Sequence, residues 1–427
     1  MRLFLTFVAA ATVLAGWQDA SVKDRVRGVR DLAKQGPGAI PRLEPYLADQ
    51  DAEVRWEAVK AIAELGTQRC LDPLIKATAD AEAGIRTRAV DGIVNFYIPG
   101  YLKTGLSGSL KRATSSLKSR FTDTNTLLID AHVSVRPEAI AALGKMAREG
   151  ADMESRANAA RATGILRGRA ALEDLYEALR SKNSLVLYES LIAIQKIRDV
   201  ESGPKIQYLL RDLHDSVQIA AIETTGILGN RAAIPDLREL VERARNVKVQ
   251  RAVVAALAMM PEEQNRGLYL KYLEQKDEGL RGAAAEGLGR LKNMADVPLL
   301  ERAFETEKHM GARLSLAFAM VMLGRTELSE FSPLQYLVNT LNSRSYQDSA
   351  EPLLVELGRD GAVRKALYPA IRQLQATKEE KMRLARVFGQ TGDKETLGVL
   401  ETLKDDTDAE VAAEGSKAAR NIAARLP

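Results

Sequence analysis

The chain has 427 residues, of which 46% are hydrophobic and only 5% are aromatic. Its 61 basic and 57 acidic residues give a net charge of +4, and this near balance argues against a dedicated nucleic-acid binder, which carries a clear basic excess. The single cysteine, Cys70, excludes an intramolecular disulfide and a zinc site built from cysteines. We expect Cys70 to lie in the core.

The first residues are typical of an export signal. A positively charged start precedes an uncharged, mostly apolar run from Leu3 to Leu14. This run is shorter than the roughly 20 residues that cross a bilayer, so residues 1–15 are predicted to be a secretory signal peptide. An apolar first helix of the repeat stack is the alternative. Trp17 stands where a bacterial lipoprotein needs its cysteine, so we expect a periplasmic or secreted protein without a lipid anchor.

Most of the remaining chain repeats about every 31 residues. In most copies the first, sixth, ninth and twelfth places are apolar, which is typical of one buried stripe on an α-helix. The fifth and eighth places are mostly small, which allows neighbouring helices to approach closely. The copies are 54–66, 85–97, 155–167, 186–198, 217–229, 249–261, 280–292 and 312–324, with weaker ones that end at Gly36, Gly358, Gly392 and Ala423.

A second, shorter helix is predicted between successive copies. Proline often opens it, as at Pro73, Pro235 and Pro298, and proline suits the first turn of a helix because its missing N–H is not needed there. An aspartate then precedes the next copy, as at Asp51 and Asp277, where it can cap the following helix. Each repeat is therefore expected to be a helical hairpin.

Two motifs carry a family resemblance. One is a D-x-x-V-R start, clearest at Asp51, Val54 and Arg55, and the other is an A-I-P-x-L helix, as at Ala233–Leu237. Together they resemble HEAT repeats, and among them the short HEAT-like repeats of phycobilisome lyases. The resemblance covers about 22–427. It implies an all-α, right-handed α-solenoid of about 12 helical hairpins. The helices that begin at the V-R motif or its equivalent in each copy, called the V-R helices below, are expected to line the concave face. The family includes scaffolds, transport receptors and a few enzymes, so it implies a fold more than a function.

One step between the V-R helices is much longer than the others, from Ile85 to Ser155. Val135–Ala147 looks like a further V-R helix, yet it begins too close to Ser155 for a full hairpin to lie between them. We therefore predict that Val135–Ala147 takes the place of an outer helix. The surplus, about 97–132, is predicted to be an inserted segment.

The insertion has the pattern of a short basic amphipathic helix, since Leu110, Leu117 and Phe121 recur at helical spacing. Three interpretations remain open: the apolar stripe packs on the solenoid, the segment is an arm for an acidic partner or an anionic membrane surface, or it is disordered. Its candidate binding residues are Lys103, Lys111, Arg112, Lys118 and Arg120.

No catalytic constellation is recognisable. HEAT-repeat enzymes of the deoxyhypusine hydroxylase type hold iron through paired His-Glu motifs, whereas His132, His214 and His309 are each followed by a residue other than glutamate. We therefore predict no catalytic residue, no metal and no cofactor. The alternative is a lyase-like enzyme or a chaperone that holds a prosthetic group in the concave groove.

Protein binding is the favoured class of function. The third, fourth and seventh places of the V-R helices are expected to face solvent on the concave wall, and aromatic and charged residues there suit an interaction site. Further along the chain these places become smaller and more apolar, which favours either a peptide- or helix-binding groove or simply tighter curvature. The candidate protein-binding residues are Trp56, Lys60, Arg88, Tyr188 and Glu189; the small or apolar set is Ala220, Ala252, Ala255, Ala283, Leu314 and Phe318.

Arginine often occupies the second place of the V-R helices, and there we expect a structural ladder that bonds acidic turn residues of the adjacent repeat. These arginines are Arg55, Arg86, Arg156, Arg281 and Arg313. The chain as a whole is predicted to be an exported, non-catalytic scaffold or adaptor for other proteins, with peripheral membrane attachment through the insertion as a third interpretation.

Overall fold

The computed structural model describes residues 21–102, 127–130, 132–372 and 375–426. The described residues form two compact units: unit 1 contains those up to 129 together with 133–199, and unit 2 contains 130, 132 and those from 200 onward. Throughout the described ranges the chain forms helices and turns without a strand, which confirms the all-α prediction. None of the helices in these ranges combines the length and the apolar character needed to cross a bilayer.

Unit 1 is a stack of helical hairpins in two layers. Odd-numbered helices form the inner layer, in which each packs on the next, and even-numbered helices form the outer layer. The outer helices are short and begin with a 3₁₀ turn in several repeats, as at Gln68–Cys70. The described helices of unit 1 are α1 Val22–Ala33, α2 Ile40–Leu43, α3 Ala52–Leu65, α4 Leu71–Ala77, α5 Ala83–Tyr97, α6 Pro137–Glu149, α7 Met153–Ile165, α8 Leu172–Ala178 and α9 Ser184–Ile197.

Unit 2 continues the same alternation, again with odd-numbered helices in the inner layer. Its described helices are α10 Gly203–Ile206, α11 Asp215–Leu228, α12 Ile234–Arg243, α13 Val247–Met259, α14 Arg266–Leu273, α15 Glu278–Leu291, α16 Val297–Thr306, α17 Met310–Met322, α18 Pro333–Thr340, α19 Gln347–Leu357, α20 Gly361–Arg372, α21 Lys378–Thr391, α22 Lys394–Lys404 and α23 Ala409–Ala423.

The eight clear repeat copies are confirmed, because each coincides with an inner helix from α3 to α17. The placement of Val135–Ala147 is confirmed as well: α6 packs against α7 and lies between the outer helices α4 and α8. Capping by Asp51 and Asp277 is also confirmed, since their carboxylates accept the backbone N–H groups of Glu53 and Leu280 at 2.8 and 3.0 Å. Cys70 is fully buried. Residues 103–126 of the insertion lie outside the described residues.

The inner helices touch almost backbone to backbone. A Cβ on Gly164 would lie 2.6 Å from the Cα atom of Ala193, and a Cβ on Gly289 would lie 2.6 Å from that of Ala319. Both pairs join the tenth place of one inner helix to the eighth place of the next. The predicted small residue at the eighth place therefore forms one side of a repeated contact. The other side is a glycine at the tenth place of the preceding inner helix.

Arginines of the second place form the expected ladder between repeats. Arg55 donates from Nε and Nη2 to the carboxylate of Asp80 at 2.8 and 3.2 Å, and Arg281 donates likewise to Glu307 at 2.6 and 3.0 Å. The Arg281 guanidinium holds the pKa of the Glu307 carboxyl below its usual value. In each case the remaining nitrogen donates to carbonyl oxygens of the preceding turn. The pairs are Arg55–Asp80, Arg86–Asp152 and Arg281–Glu307, with Arg25–Asp49 in the weaker first copy.

Two of the five arginines depart from this arrangement. Arg156 donates to the carbonyl oxygen of Ala147 at 3.0 Å, so its guanidinium binds backbone of its own hairpin. The guanidinium of Arg313 lies over the rings of Phe304 and Tyr336, at 4.7 and 5.2 Å from their centroids. Aromatic rings beside Arg313 thus take the role that an acidic turn residue has in the other repeats.

Candidate functional site: the inner-helix face

The inner helices α11, α13, α15 and α17 line a groove of about 450 Å³, called the unit 2 groove below. Its floor consists mainly of alanine and glycine, with Ile219 of α11 beside them. The small floor residues are Ala252, Ala255, Gly282, Ala283 and Ala312.

A smoother, more apolar face was expected from six small or apolar residues, and the groove confirms this expectation for three of them. Ala252, Ala255 and Ala283 line it. Leu314 and Phe318, in contrast, are 1% and 0% exposed and belong to the core. The guanidinium of Arg290 lies over the Phe318 ring, and the residues of α17 that line the groove are instead Gly311, Ala312 and Ser315.

Charged side chains surround this apolar floor. Arg251 donates from Nε to Asp277 at 2.6 Å, and Glu286 accepts from Arg290 Nη1 at 3.0 Å and from the Ser315 hydroxyl at 2.8 Å. Glu223 and Lys248 also line the groove. The floor thus offers apolar contact while the edges carry both signs of charge.

Arg290 lies next to the groove, where it pairs with the lining residue Glu286. Its Nε and Nη2 donate to the two carboxylate oxygens of Glu356, each at 2.7 Å, and its guanidinium lies 4.7 Å from the centroid of the Phe318 ring. These contacts raise the pKa of the buried Arg290 above its usual value in spite of burial. Since bidentate pairs have a fixed geometry, this network holds α15, α17 and α19 in register behind the groove.

In unit 1 the corresponding face carries larger side chains. Trp56 is 40% exposed, and its ring lies beside the backbone of Gly84, where an added Cβ would be 3.6 Å from Cζ3. Lys60 is half-exposed and lies 3.6 Å from the carboxylate of Glu57. Arg88 is half-buried and donates to Glu64 at 2.8 Å, and Tyr188 is half-buried.

The expected exposure of Glu189 is wrong. Glu189 is 0% exposed, and the other fourth-place residues Glu57 and Asn158 are buried too. The fourth place lies about 100° around the helix from the third, so it faces the flank on which the neighbouring inner helix packs. In unit 1 the most open places of this face are the third and seventh, as at Trp56 and Lys60, whereas in unit 2 the fourth-place alanines also line the groove.

Glu189 is an unusual buried group. Neither of its carboxylate oxygens has a hydrogen-bond partner among the described residues, and burial raises its pKa to about 7. Burial lowers the pKa of Lys196 on the same helix to about 8. Nearby in unit 1, Arg161 lies 3.8 Å from Asp91 and contributes positive potential at Glu189. The carboxyl group is therefore poised to change charge near neutral pH.

A sequence model of HEAT repeats matches residues 10–93 and 234–320. The chain contains HEAT repeats. The predicted resemblance is thereby confirmed, and the fold is an α-solenoid. The matched segments include repeats of both units.

A curated relative is deoxyhypusine hydroxylase-B of rice, Oryza sativa subsp. japonica, which is 30% identical over 102 residues. The match covers 23% of this chain and 34% of the rice protein, so the HEAT-repeat chain spans about a third of that relative's length.

Several solved structures are similar in fold. The complex of CpcE and CpcF of phycocyanin lyase from Nostoc sp. PCC7120 is 18% identical, with 70% of this chain and 94% of that chain covered and a TM-score of 0.39. Human deoxyhypusine hydroxylase is 17% identical over 67% of this chain and 96% of that one, with a TM-score of 0.29. Kap95p bound to RanGDP is 12% identical over 91% of this chain and 51% of that one, with a TM-score of 0.44.

The three histidines have separate local settings in the HEAT repeats. His132 Nδ1 lies 3.0 Å from Asn421 Oδ1, His214 Nδ1 lies 3.2 Å from Asp212 Oδ1, and His309 precedes the first turn of α17. In the part of the chain that the structure describes, no three His, Cys, Asp or Glu side chains are grouped so as to hold a metal ion. The candidate residues Lys103, Lys111, Arg112, Lys118 and Arg120, and the signal segment 1–15, lie outside the described residues.

Proposed function

We propose that the protein is an exported, non-catalytic scaffold that binds another protein through its inner-helix face. The observation that carries this proposal is the unit 2 groove, which the inner helices of four successive repeats line and to whose floor three of them contribute alanine and glycine. Helix-in-groove recognition needs an apolar surface that a partner's backbone can approach closely, and this floor supplies one.

The composition of the floor favours binding of a peptide segment. Each buried Å² of apolar surface contributes roughly 25 cal/mol, so a bound segment gains affinity in proportion to the floor that it covers. A floor of Ala and Gly has few rotatable bonds to order on binding, which keeps the entropic cost low. The charged edges then fix the register and orientation of the segment.

Unit 1 offers further contacts on the corresponding face. Trp56 is an exposed large aromatic residue held against Gly84, and Lys60 presents charge beside it, whereas the largely buried Arg88 is paired with Glu64. Tryptophan, tyrosine and arginine are enriched in the energetic centres of protein interfaces. Trp56 and Tyr188 are therefore proposed as anchors, whereas Glu189 is buried and is no longer proposed as one.

Filling the groove tests this function. Ala255 is half-exposed on the floor, so Ala255→Trp should occlude the groove, and we expect at least a tenfold loss of partner captured by the immobilised full chain from an envelope extract. Ala232→Trp is the matched control, because Ala232 is exposed in the outer layer. Equal capture by both variants, with wild-type circular dichroism, would rule out the groove as the binding site.

A second candidate function is storage or transfer of a small prosthetic group in the same groove. Its volume of about 450 Å³ favours this, since small-molecule sites occupy roughly 300–1,000 Å³. Native mass spectrometry of the purified chain distinguishes the two: a bound group adds mass and commonly absorbance, and Ala255→Trp should remove both. A bare polypeptide mass would eliminate this candidate.

Export is proposed from residues 1–15. A reporter enzyme that is active only outside the cytosol, fused after residue 20, should be active, and Val8→Arg within the apolar run should abolish its activity. The mature protein should begin at Gly16. Full-length protein recovered from the cytosol with an intact first residue would contradict export and favour the alternative of a first repeat helix.

A further inference from the structure

The unit 2 groove contains five ionisable side chains, three of which are already neutralised within the protein. Arg251 donates to Asp277 and lies 3.8 Å from Glu278. Glu286 forms an ion pair with Arg290 at 3.0 Å. A ligand therefore gains little from contacting these three groups, because their charges already have partners.

The other two, Glu223 and Lys248, have no ion-pair partner among the described residues. Glu223 lies in the third turn of α11, at the seventh place, and its side chain reaches solvent in the groove. Surrounding protein nevertheless desolvates this carboxyl and raises its pKa above the usual value. An anion in such a partly desolvated place is stabilised more by an incoming cation than a fully hydrated surface carboxylate is.

We propose that the unit 2 groove selects peptide segments that carry one lysine or arginine flanked by small or aliphatic residues, with the cationic group paired to Glu223. This inference rests on the proposed function, because it specifies the chemistry of the partner at the same site. The flanking residues pack on Ala252, Ala255 and Ala283, which cannot hydrogen-bond through their side chains.

Lys248 limits the partner further. It lies in the first turn of α13, at the opposite end of the helices from the third turn that carries Glu223. A second cation at that end would be repelled, whereas an acidic residue would be accommodated. The groove therefore favours a segment with a single basic residue over a polybasic segment, and it disfavours an acidic segment at Glu223.

The test uses random 12-residue peptides displayed on phage and selected on the immobilised full chain. Only peptides that bind wild type and not Ala255→Trp are kept, since these depend on the groove. For each one, binding of the synthetic peptide and of a version with norleucine in place of its basic residue is measured by fluorescence anisotropy. The proteins are wild type, Glu223→Gln and the control Glu274→Gln, whose Glu274 is exposed outside the groove.

We expect norleucine to weaken binding to wild type and to Glu274→Gln at least tenfold, and to weaken binding to Glu223→Gln by less than threefold. Groove-dependent peptides without a basic residue, or an equal norleucine effect in Glu223→Gln, would overturn the inference and leave the proposed function standing. If no selected peptide depends on Ala255, the inference is also wrong, and the capture experiment with Ala255→Trp decides separately whether the groove binds a folded partner.

Discussion

The inner helices of the two units pack alike but present different surfaces. In unit 1 the open places carry Trp56, Lys60 and Tyr188, whereas in unit 2 the equivalent places include Ala255 and Gly282. The close contacts behind these faces are the same, since Gly164 meets Ala193 in unit 1 as Gly289 meets Ala319 in unit 2. The comparison shows that packing places hold the repeat constant while a few open places give each unit a different surface.

A buried charge separates the units as well. The fourth place holds Glu189 in α9, but the equivalent residues of unit 2 are Ala220, Ala252 and Ala283. Alanine there closes the helix contact at no electrostatic cost, whereas Glu189 must be desolvated. The stability of unit 1 is therefore expected to depend on pH through this fourth-place carboxyl, whereas the alanines at the equivalent places of unit 2 cannot titrate.

The largest predicted effect follows from Glu189. Its pKa of about 7 in the folded protein lies above the ordinary 4.5. Between pH 4.5 and pH 7 the carboxyl group is therefore protonated in the native state but ionised in the unfolded chain. The free energy of unfolding should therefore fall as pH rises from 4.5 to 7 and remain low above it. Relative to Glu189→Gln, which has no proton to lose, wild type should lose about 3 kcal/mol between pH 4.5 and pH 8.

Urea unfolding of wild type and Glu189→Gln at both pH values measures this difference. Glu173→Gln is the control, since Glu173 is exposed in unit 1. Parallel pH profiles for wild type and Glu189→Gln would show that the buried carboxyl has an ordinary pKa.

The shared packing of the two units gives the next largest effect. Gly164→Ala in unit 1 and Gly289→Ala in unit 2 each place a Cβ 2.6 Å from a neighbouring Cα, so each should lower the free energy of unfolding by about 2 kcal/mol. Gly398→Ala is the control: nothing lies within 4 Å of its added Cβ, so it should raise helix stability by about 0.5–1 kcal/mol. Chemical denaturation separates these outcomes. A loss in one unit without the other would contradict equal packing.

The sequence predicted the repeat closely but its surface only in part. Apolar periodicity located the inner helices from α3 to α17, and the spacing around Ser155 placed α6 in the outer layer, because both depend on local pattern. The burial of Glu189 and Phe318 could not be read this way. It depends on how the flanks of one helix meet the next and, for Phe318, on the Arg290 side chain that lies over its ring, which no single segment reveals.

Some functional residues were missed for the same reason. Glu223 was not singled out, since its interest comes from the absence of an ion-pair partner in a groove shared by four helices. The departures of Arg156 and Arg313 from the ladder also needed the structure, because a backbone carbonyl and two aromatic rings replace the acidic partner. The sequence did hold one signal for Glu223: it occupies the seventh place of its copy, and Ala255 occupies the same place in the next copy.

The next prediction asks whether the aromatic residues Trp56 and Tyr188 of unit 1 contribute to binding of the partner. If the partner also contacts unit 1, Trp56→Ala combined with Tyr188→Ala should weaken its affinity about tenfold, as loss of interface anchors does. Tyr208→Ala is the control, because Tyr208 is 58% exposed in the outer layer. Surface plasmon resonance with the captured partner measures the change. Unchanged affinity would restrict binding to unit 2.

The smallest predicted effect concerns the insertion as a membrane arm. Lys118→Gln should weaken binding to vesicles that contain anionic lipid about fivefold at low salt, since one surface-bound Lys contributes about 1 kcal/mol. Lys145→Gln, which removes an exposed lysine of α6, should leave flotation unchanged. Wild type that stays at the bottom of the gradient would exclude this interpretation of the insertion.

The most direct measurement of the central claim is site-specific photo-crosslinking in intact cells. A photo-activatable lysine analogue at Lys248 lies at the edge of the unit 2 groove, and the same analogue at Lys271 lies on the outer helix α14. Binding through the groove predicts that a discrete protein cross-links at 248, that Ala255→Trp abolishes the product, and that 271 gives none. Equal products at both positions, or a product at 248 that survives Ala255→Trp, would contradict it.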